Sequence, residues 1–307
     1  MTSEPRPFVI DIHTHIFSSA KPMPKAALAD PLWDVSDRLG PGFREKAERQ
    51  ALPRIEAYVE RMDAMGVDVV CVNNVGLTAD GASAMNDYNA EIVAEHPGRM
   101  IGFAAVPTAA GERGADVLRY AVEQLGFRGG KIYPWIQGVA LDAPSMLPIY
   151  ETAADLNVPL LTHTQAFPMT YTGYRGLTWA DLTLDNPARL FNSGIFRDVP
   201  GLRVIFAHLA GGFHWYHRSL LRRFPDWEPM FEGMYVDVSP ATRFERDEVM
   251  SAVNALGPSK VLFGIDYPWI PIDEVTTCVA HVRDMQLGDE LETRILSGNA
   301  RDLLGLR

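Results

Sequence analysis

Eight short runs of apolar and β-branched residues recur along the chain, each followed by a stretch of helical period. The runs are PFVIDIH (7–13), VDVVCVNN (67–74), MIGFAAV (100–106), RGGKIYP (128–134), VPLLTH (158–163), RVIFAH (203–208), MYVDVS (234–239) and KVLFGID (260–266). Between them lie helix-like stretches such as PRIEAYVERMDAMG (53–66), GERGADVLRYAVEQLG (111–126) and APSMLPIYETAADLN (143–157), often closed by glycine or asparagine as a helix C-cap prefers. Nearly continuous apolar strands alternating with helices predict a parallel sheet covered by helices. Eight such units predict an α/β fold of one kind, a closed (β/α)8 TIM barrel. An open doubly wound sheet is the alternative, but no glycine-rich dinucleotide fingerprint follows the first run. No linker marks a second domain, so residues 1–307 read as a single barrel with a flexible N-terminus at 1–7.

Two connections are too long for tight turns. Residues 16–52 are rich in proline and include Trp33, and residues 165–185 carry FPMTYTGYRGLTWAD, dense in aromatics and glycine. Both follow strands, so in a barrel both stand on the C-terminal face, where they are expected to wall or cover a pocket.

The polar residues that break the strand pattern fall at one place, the C-terminal ends of the runs. Asp11, His13 and His15 end the first run, and strand alternation predicts that all three point the same way. Lys131 lies in the fourth run, His163 ends the fifth, His208 the sixth and Asp266 the eighth. A lone histidine ending a strand is ordinarily a hydrogen-bonded structural group. Four imidazoles and a carboxylate converging on one rim would repel and stay unsatisfied without a shared partner, and a divalent cation is the simplest one. His13 and His15 can both reach one ion, His163 supplies a third nitrogen from across the barrel and Asp266 an oxygen. Asp11 is expected behind them, orienting an imidazole. Tyr133, Trp135 and Trp269 lie just past strands four and eight, where they can pack against a substrate ring. Arg175, in the loop after strand five, can pair with a substrate carboxylate. His214 and His217 begin the helix after strand six and are not placed in the site.

Composition narrows the partners. The formal charge of −11 argues against nucleic acid, whose phosphates it would repel. No apolar run is long enough to span a membrane. The N-terminal MTSEPRP lacks a signal peptide's apolar stretch, so a cytoplasmic protein is expected. Cys71 and Cys278 cannot form a disulfide framework and read as small buried hydrophobes.

The motifs DIHTH, LLTHT, VIFAHLAGG and LFGIDYPW resemble the metal-site motifs of the amidohydrolase superfamily. More narrowly they are similar to its amidohydrolase-related branch, which includes aminocarboxymuconate-semialdehyde decarboxylase and the resorcylate-type decarboxylases. The resemblance runs from residue 8 to ILSGNARDLLGL (295–306). It implies one divalent metal, zinc with manganese or iron as alternatives, held by His13, His15, His163 and Asp266. It implies His208 as a catalytic imidazole, with Asp266 shuttling protons, and a homodimer, for which the segment FHWYHRSLLRRF (213–224) is a candidate interface. Binuclear members carry a carboxylated lysine on the fourth strand, so a second metal is expected only if Lys131 is carboxylated. The decarboxylases do not usually show a lysine there. That departure favours a metal-dependent hydrolase acting on a small cyclic or amide/ester (lactone-like) compound through metal-activated water. Non-oxidative decarboxylation of an aromatic or muconate-like acid is the alternative.

Overall fold

The computed structural model describes residues 8–16, 18–36, 43–49, 52–163 and 181–306. Eight parallel strands follow one another in chain order around a single sheet: β1 (Ile10–His15), β2 (Val69–Asn73), β3 (Met100–Ala105), β4 (Gly129–Ile132), β5 (Leu160–Thr162), β6 (Val204–Phe206), β7 (Met234–Asp237) and β8 (Val261–Leu262). Backbone hydrogen bonds bring the chain after β8 back onto β1: Ile12 N donates to Phe263 O (3.0 Å), Asp266 N to His13 O (2.7 Å) and His15 N to Tyr267 O (2.8 Å). The expected (β/α)8 barrel is therefore present, with helices such as Ala79–Glu95, Glu112–Glu123 and Leu147–Asp155 between the strands. The helical stretch predicted over 53–66 is two short helices, Ile55–Val59 and Met62–Met65.

Two cores follow from strand alternation. Val70, Val72, Ile132, Leu160, Val204, Phe206 and Val236 face outward and pack under the helices, against Leu118 and Ile149 among others. Ile10, Ile12, Val69, Cys71, Phe103, Leu161, Ile205 and Leu262 face inward and fill the barrel, whose floor is covered by Ala300, Leu303 and Leu304 of the helix Asn299–Leu304. The filling is tight. A Cβ on Gly129 would lie 2.7 Å from the Phe103 ring, so glycine at that rung makes room for the phenyl. With the lower barrel packed by apolar side chains, polar groups at the upper ends of the same strands can meet only at the mouth.

The long first loop is partly described. Its Leu32 joins Val75, Tyr133, Trp135 and Ile136 in a small apolar cluster at the mouth. Asp30 fixes this loop by accepting hydrogen bonds from Leu32 N (2.8 Å), Thr78 N (3.0 Å) and Thr78 Oγ1 (2.8 Å). Of the second loop, residues 164–180 lie outside the described residues, Arg175 with them. Among the described residues no helix is long and apolar enough to cross a membrane.

Phe103→Ala removes the largest fully buried ring of the barrel interior. It is expected to destabilise the protein by about 3–5 kcal/mol, read by denaturant unfolding. A loss well under 1 kcal/mol would mean that the interior does not pack as described.

Candidate metal centre

β1 delivers its two histidines through an irregularity. Ile10 and Asp11 pair with Val69 and Val70, then the register shifts and Thr14 and His15 pair with Val72 and Asn73. This shift corrects the expectation that Asp11, His13 and His15 share a face. Asp11 lies outside the cluster of imidazoles: Oδ2 accepts from Tyr58 Oη (2.7 Å) and Thr14 Oγ1 (2.5 Å), and Oδ1 from His13 N and Ile265 N (3.0 Å each). It ties β1 to the chain after β8 and to the helical layer, and it orients backbone rather than an imidazole.

The other predicted donors do meet. His15 Nε2, His13 Nε2 and His163 Nε2 stand 3.1, 3.5 and 3.7 Å from Asp266 Oδ1. One ligand atom from each of the four residues lies within 4.8 Å of the others, and all four residues are buried. Three nitrogens and an oxygen so arranged can hold a metal ion. Lys131 Nζ lies 3.1 Å from His13 Nε2, and His208 Nε2 lies 3.2 Å from His163 Nε2.

The charges in the cluster explain what it needs. Burial, with Lys131 and neighbouring imidazoles adding to it, pushes His13, His15 and His163 well below the usual histidine range, so the rings resist protonation. Burial likewise raises Asp266 well above the carboxylate range, and brings Lys131 down to about 7 against the opposing pull of Asp266 and Asp237. A cation among these groups reverses the penalty on Asp266 and uses the imidazole lone pairs.

The orienting carboxylate is Asp237, at the end of β7. Its Oδ2 is 3.0 Å from His13 Nδ1, and its Oδ1 accepts from His208 N (3.1 Å), Ser239 N (2.9 Å) and Ser239 Oγ (2.5 Å). His208 Nδ1 is 2.6 Å from Ser239 O, which can only accept, so that nitrogen carries the proton. His13 and His208 are thereby set with Nδ1 protonated and Nε2 turned to the cluster. Packing leaves no slack behind them, since a Cβ on Gly264 would lie 2.9 Å from Ser239 Cβ and 3.1 Å from His13 Cβ. Neither Asp237 nor Ser239 was singled out from sequence. The one available signal was a carboxylate at the C-terminal end of MYVDVS.

Strain gathers at the same rim. His208 (φ 57°) opens a left-handed run through Leu209, Ala210, Gly211 and Gly212, and Asp266 has φ 64°. Left-handed geometry costs a non-glycine residue roughly 1–2 kcal/mol, offset here by the bonds of Asp237 and Ser239 to His208 and by Asp266 N donating to His13 O.

Of the aromatic residues, Tyr133 is buried with its ring 4.3 Å from that of His163, Trp135 lies 6.0 Å from Tyr133, and half-buried Trp269 lies 6.5 Å from His15. His214 is buried, with Nδ1 3.3 Å from Leu209 O, and His217 packs 4.6 Å from Phe231. Trp215 and Tyr216 are exposed.

Eight parallel strands with buried metal donors at their carboxyl ends define a metal-binding (β/α)8 barrel of amidohydrolase type. A family model described as amidohydrolase matches residues 10–306, and the chain belongs to that family. It is 26% identical to 2-amino-3-carboxymuconate-6-semialdehyde decarboxylase of Dictyostelium discoideum, over 98% of this chain and 92% of that protein. It is 29% identical to gamma-resorcylate decarboxylase of Rhodococcus jostii, over 70% of this chain and 74% of that one. Among solved structures it is similar to a dihydroxybenzoic acid decarboxylase from Polaromonas with bound manganese and the inhibitor 2-nitroresorcinol, with TM-score 0.78, 22% identity and 98% of both chains covered.

These relatives overturn the expectation of a hydrolase. They are decarboxylases, and the alternative is the better supported reading. The physical reason for the error is that a Lewis acid beside a proton carrier serves both reactions, so the donor set could not separate them. Lys131, whose presence favoured a hydrolase, places its Nζ 3.1 Å from His13 Nε2.

Asp237→Ala is expected to lower metal affinity about 10- to 100-fold, measured by titrating manganese into the metal-stripped protein. Unchanged affinity would show that Asp237 does not set His13.

Proposed function

We propose that the chain is a metal-dependent, non-oxidative decarboxylase of an aromatic or muconate-like carboxylic acid. The observation that carries this reading is the seating of His208: an imidazole anchored at Nδ1, with Nε2 3.2 Å from a donor histidine, in a chain whose relatives are decarboxylases. His13, His15, His163 and Asp266 would hold one divalent ion. Bound there, it supplies Lewis acidity that fixes the acid's carboxylate and an adjacent oxygen and draws off negative charge. The relatives' bound manganese makes manganese the first ion to test, beside zinc and iron.

The chain's own groups do the rest. With Nδ1–H held on Ser239 O, His208 first takes a proton from solvent onto Nε2 and then gives it to the ring carbon that bears the carboxylate. The bond between that carbon and the carboxylate then breaks, its electron pair restores the ring, and CO2 leaves; one proton is consumed for each CO2. Asp266 is the second group that could carry this proton. Asp237 and Ser239 act through His13 and His208 as positioning residues. Tyr133, Trp135 and Trp269 wall the ring, and the buried setting excludes water from the proton transfer. Lys131 remains an amine, its low pKa easing the repulsion a cation beside His13 would bring. The reading thus takes one metal per chain.

His208→Asn is expected to cut turnover about 10²- to 10⁴-fold with metal content unchanged. Loss of the metal would make His208 a ligand instead. Chelation should abolish CO2 release from hydroxybenzoates or a muconate-type acid, and manganese or zinc should restore it. Metal content near one per chain fits a lone ion, and a value near two would require a carboxylated Lys131. Turnover of lactones or amides without CO2 from any acid would end the decarboxylase reading.

A further inference from the structure

Three of the four donors hold one another in place. Asp266 N donates to His13 O (2.7 Å) and His15 N to Tyr267 O (2.8 Å), so β1 and the segment after β8 fix His13, His15 and Asp266 as one unit. His163 comes from β5, four strands away in either direction around the barrel. Its Nε2 is the farthest of the three nitrogens from Asp266 Oδ1, at 3.7 Å. β5 is only three residues long, and its ladder to β6 ends on Thr162, whose carbonyl accepts from Ala207 N (3.2 Å). The next carbonyl is that of His163 itself, and a side chain takes it. Asn186 Nδ2 donates to His163 O (2.5 Å) and to Thr162 Oγ1 (3.3 Å), and Thr162 Oγ1 donates in turn to His163 O (3.3 Å). A carbonyl oxygen can only accept, so the atom facing His163 O is the amide nitrogen.

The helix Asp185–Ser193 explains why Asn186 stands there. It buries Asn186, Pro187, Leu190 and Phe191, the face that helical periodicity turns to the barrel. Leu190 and Phe191 join the outer core, and Asn186, one turn before Leu190, is a fully buried amide on the same face. Burying an amide costs free energy unless it is bonded, and this one is bonded to the end of β5. Alternation puts Leu160 and Thr162 outside the barrel, towards the helices, and Leu161 and His163 inside it. The amide therefore grips the backbone of His163 from behind while the ring faces the centre.

We propose that Asn186 is a positioning residue of the metal centre: with Thr162 it fixes the backbone of His163, and so the place of that donor's Nε2. The inference rests on the four-donor centre, whichever reaction the centre serves, and adds the group that sets its member from across the barrel. A metal–ligand distance tolerates only about 0.2 Å, and a backbone shift at His163 carries the whole imidazole with it. Asn86 shows the same device without a donor. At the end of β3, Ala105 N donates to Asn86 Oδ1 (2.7 Å) and Asn86 Nδ2 donates to Ala105 O (3.1 Å). There the amide only finishes a strand; at His163 it finishes a strand and places a ligand atom.

Titration of manganese into the metal-stripped protein tests this, with the visible absorption of the cobalt-loaded protein as a second readout. Asn186→Asp keeps the shape but sets an acceptor against His163 O. It is expected to weaken manganese binding about tenfold or more and to shift the cobalt bands. Thr162→Val should weaken manganese in the same direction, whereas Thr162→Ser, which keeps the hydroxyl, should stay within about twofold of the unmodified protein. Asn192→Ala, whose amide bonds Ala188 O on the same helix, should change neither readout. If Asn186→Asp does not fold, Thr162→Val against Thr162→Ser carries the test. The proposal is overturned if Asn186→Asp, or Thr162→Val standing in for it, lowers the melting temperature yet leaves manganese affinity within about twofold and the cobalt spectrum unchanged, as an amide that only finishes a strand would do. Asp266→Ala separates this failure from that of the centre itself. It should lose manganese outright; if it binds the ion normally, the four-donor centre fails and the role of Asn186 with it.

Discussion

Burying three imidazoles and a carboxylate around one point is the constraint to which the rest of the molecule answers. Taken out of water, the histidines resist protonation and Asp266 resists ionisation, so the cluster by itself is a set of lone pairs facing a reluctant acid. A divalent cation is the partner that turns this penalty into attraction, since it neutralises the carboxylate and uses the nitrogens as donors. Stability and ligand supply are linked for the same reason: an ion that binds only the folded arrangement also favours it.

Precision at the cluster comes from behind it. Asp237 and Ser239, neither among the four candidate donors, decide which nitrogen of His13 and of His208 faces the centre. Asp237 also holds the backbone of His208 at the head of a left-handed run that the local sequence would not otherwise favour. One carboxylate on β7 thus ties a donor on β1 to an imidazole after β6. Asp11, which looks from sequence like a member of the cluster, instead fastens β1 to the closing segment of the barrel.

Much of this was legible in the chain. Parallel strands buried on both faces read as unbroken apolar runs, so the eight strands stood out, and so did the histidines and Asp266 that ended them. The part that stayed hidden has local physical causes. Period-two reasoning misplaced Asp11 because the β1–β2 register shifts between Asp11 and Thr14. Asp237 and Ser239 were missed because a short polar residue after an apolar run is also an ordinary strand end. The reaction itself was misread because hydrolysis and decarboxylation ask the same of the donor set.

A crystal structure of the protein loaded with manganese, with the ion located by anomalous scattering, tests the central claim most directly. The account predicts one strong peak in contact with the Nε2 atoms of His13, His15 and His163 and with Asp266. A peak elsewhere, or one lacking any of these four residues as a ligand, would contradict it.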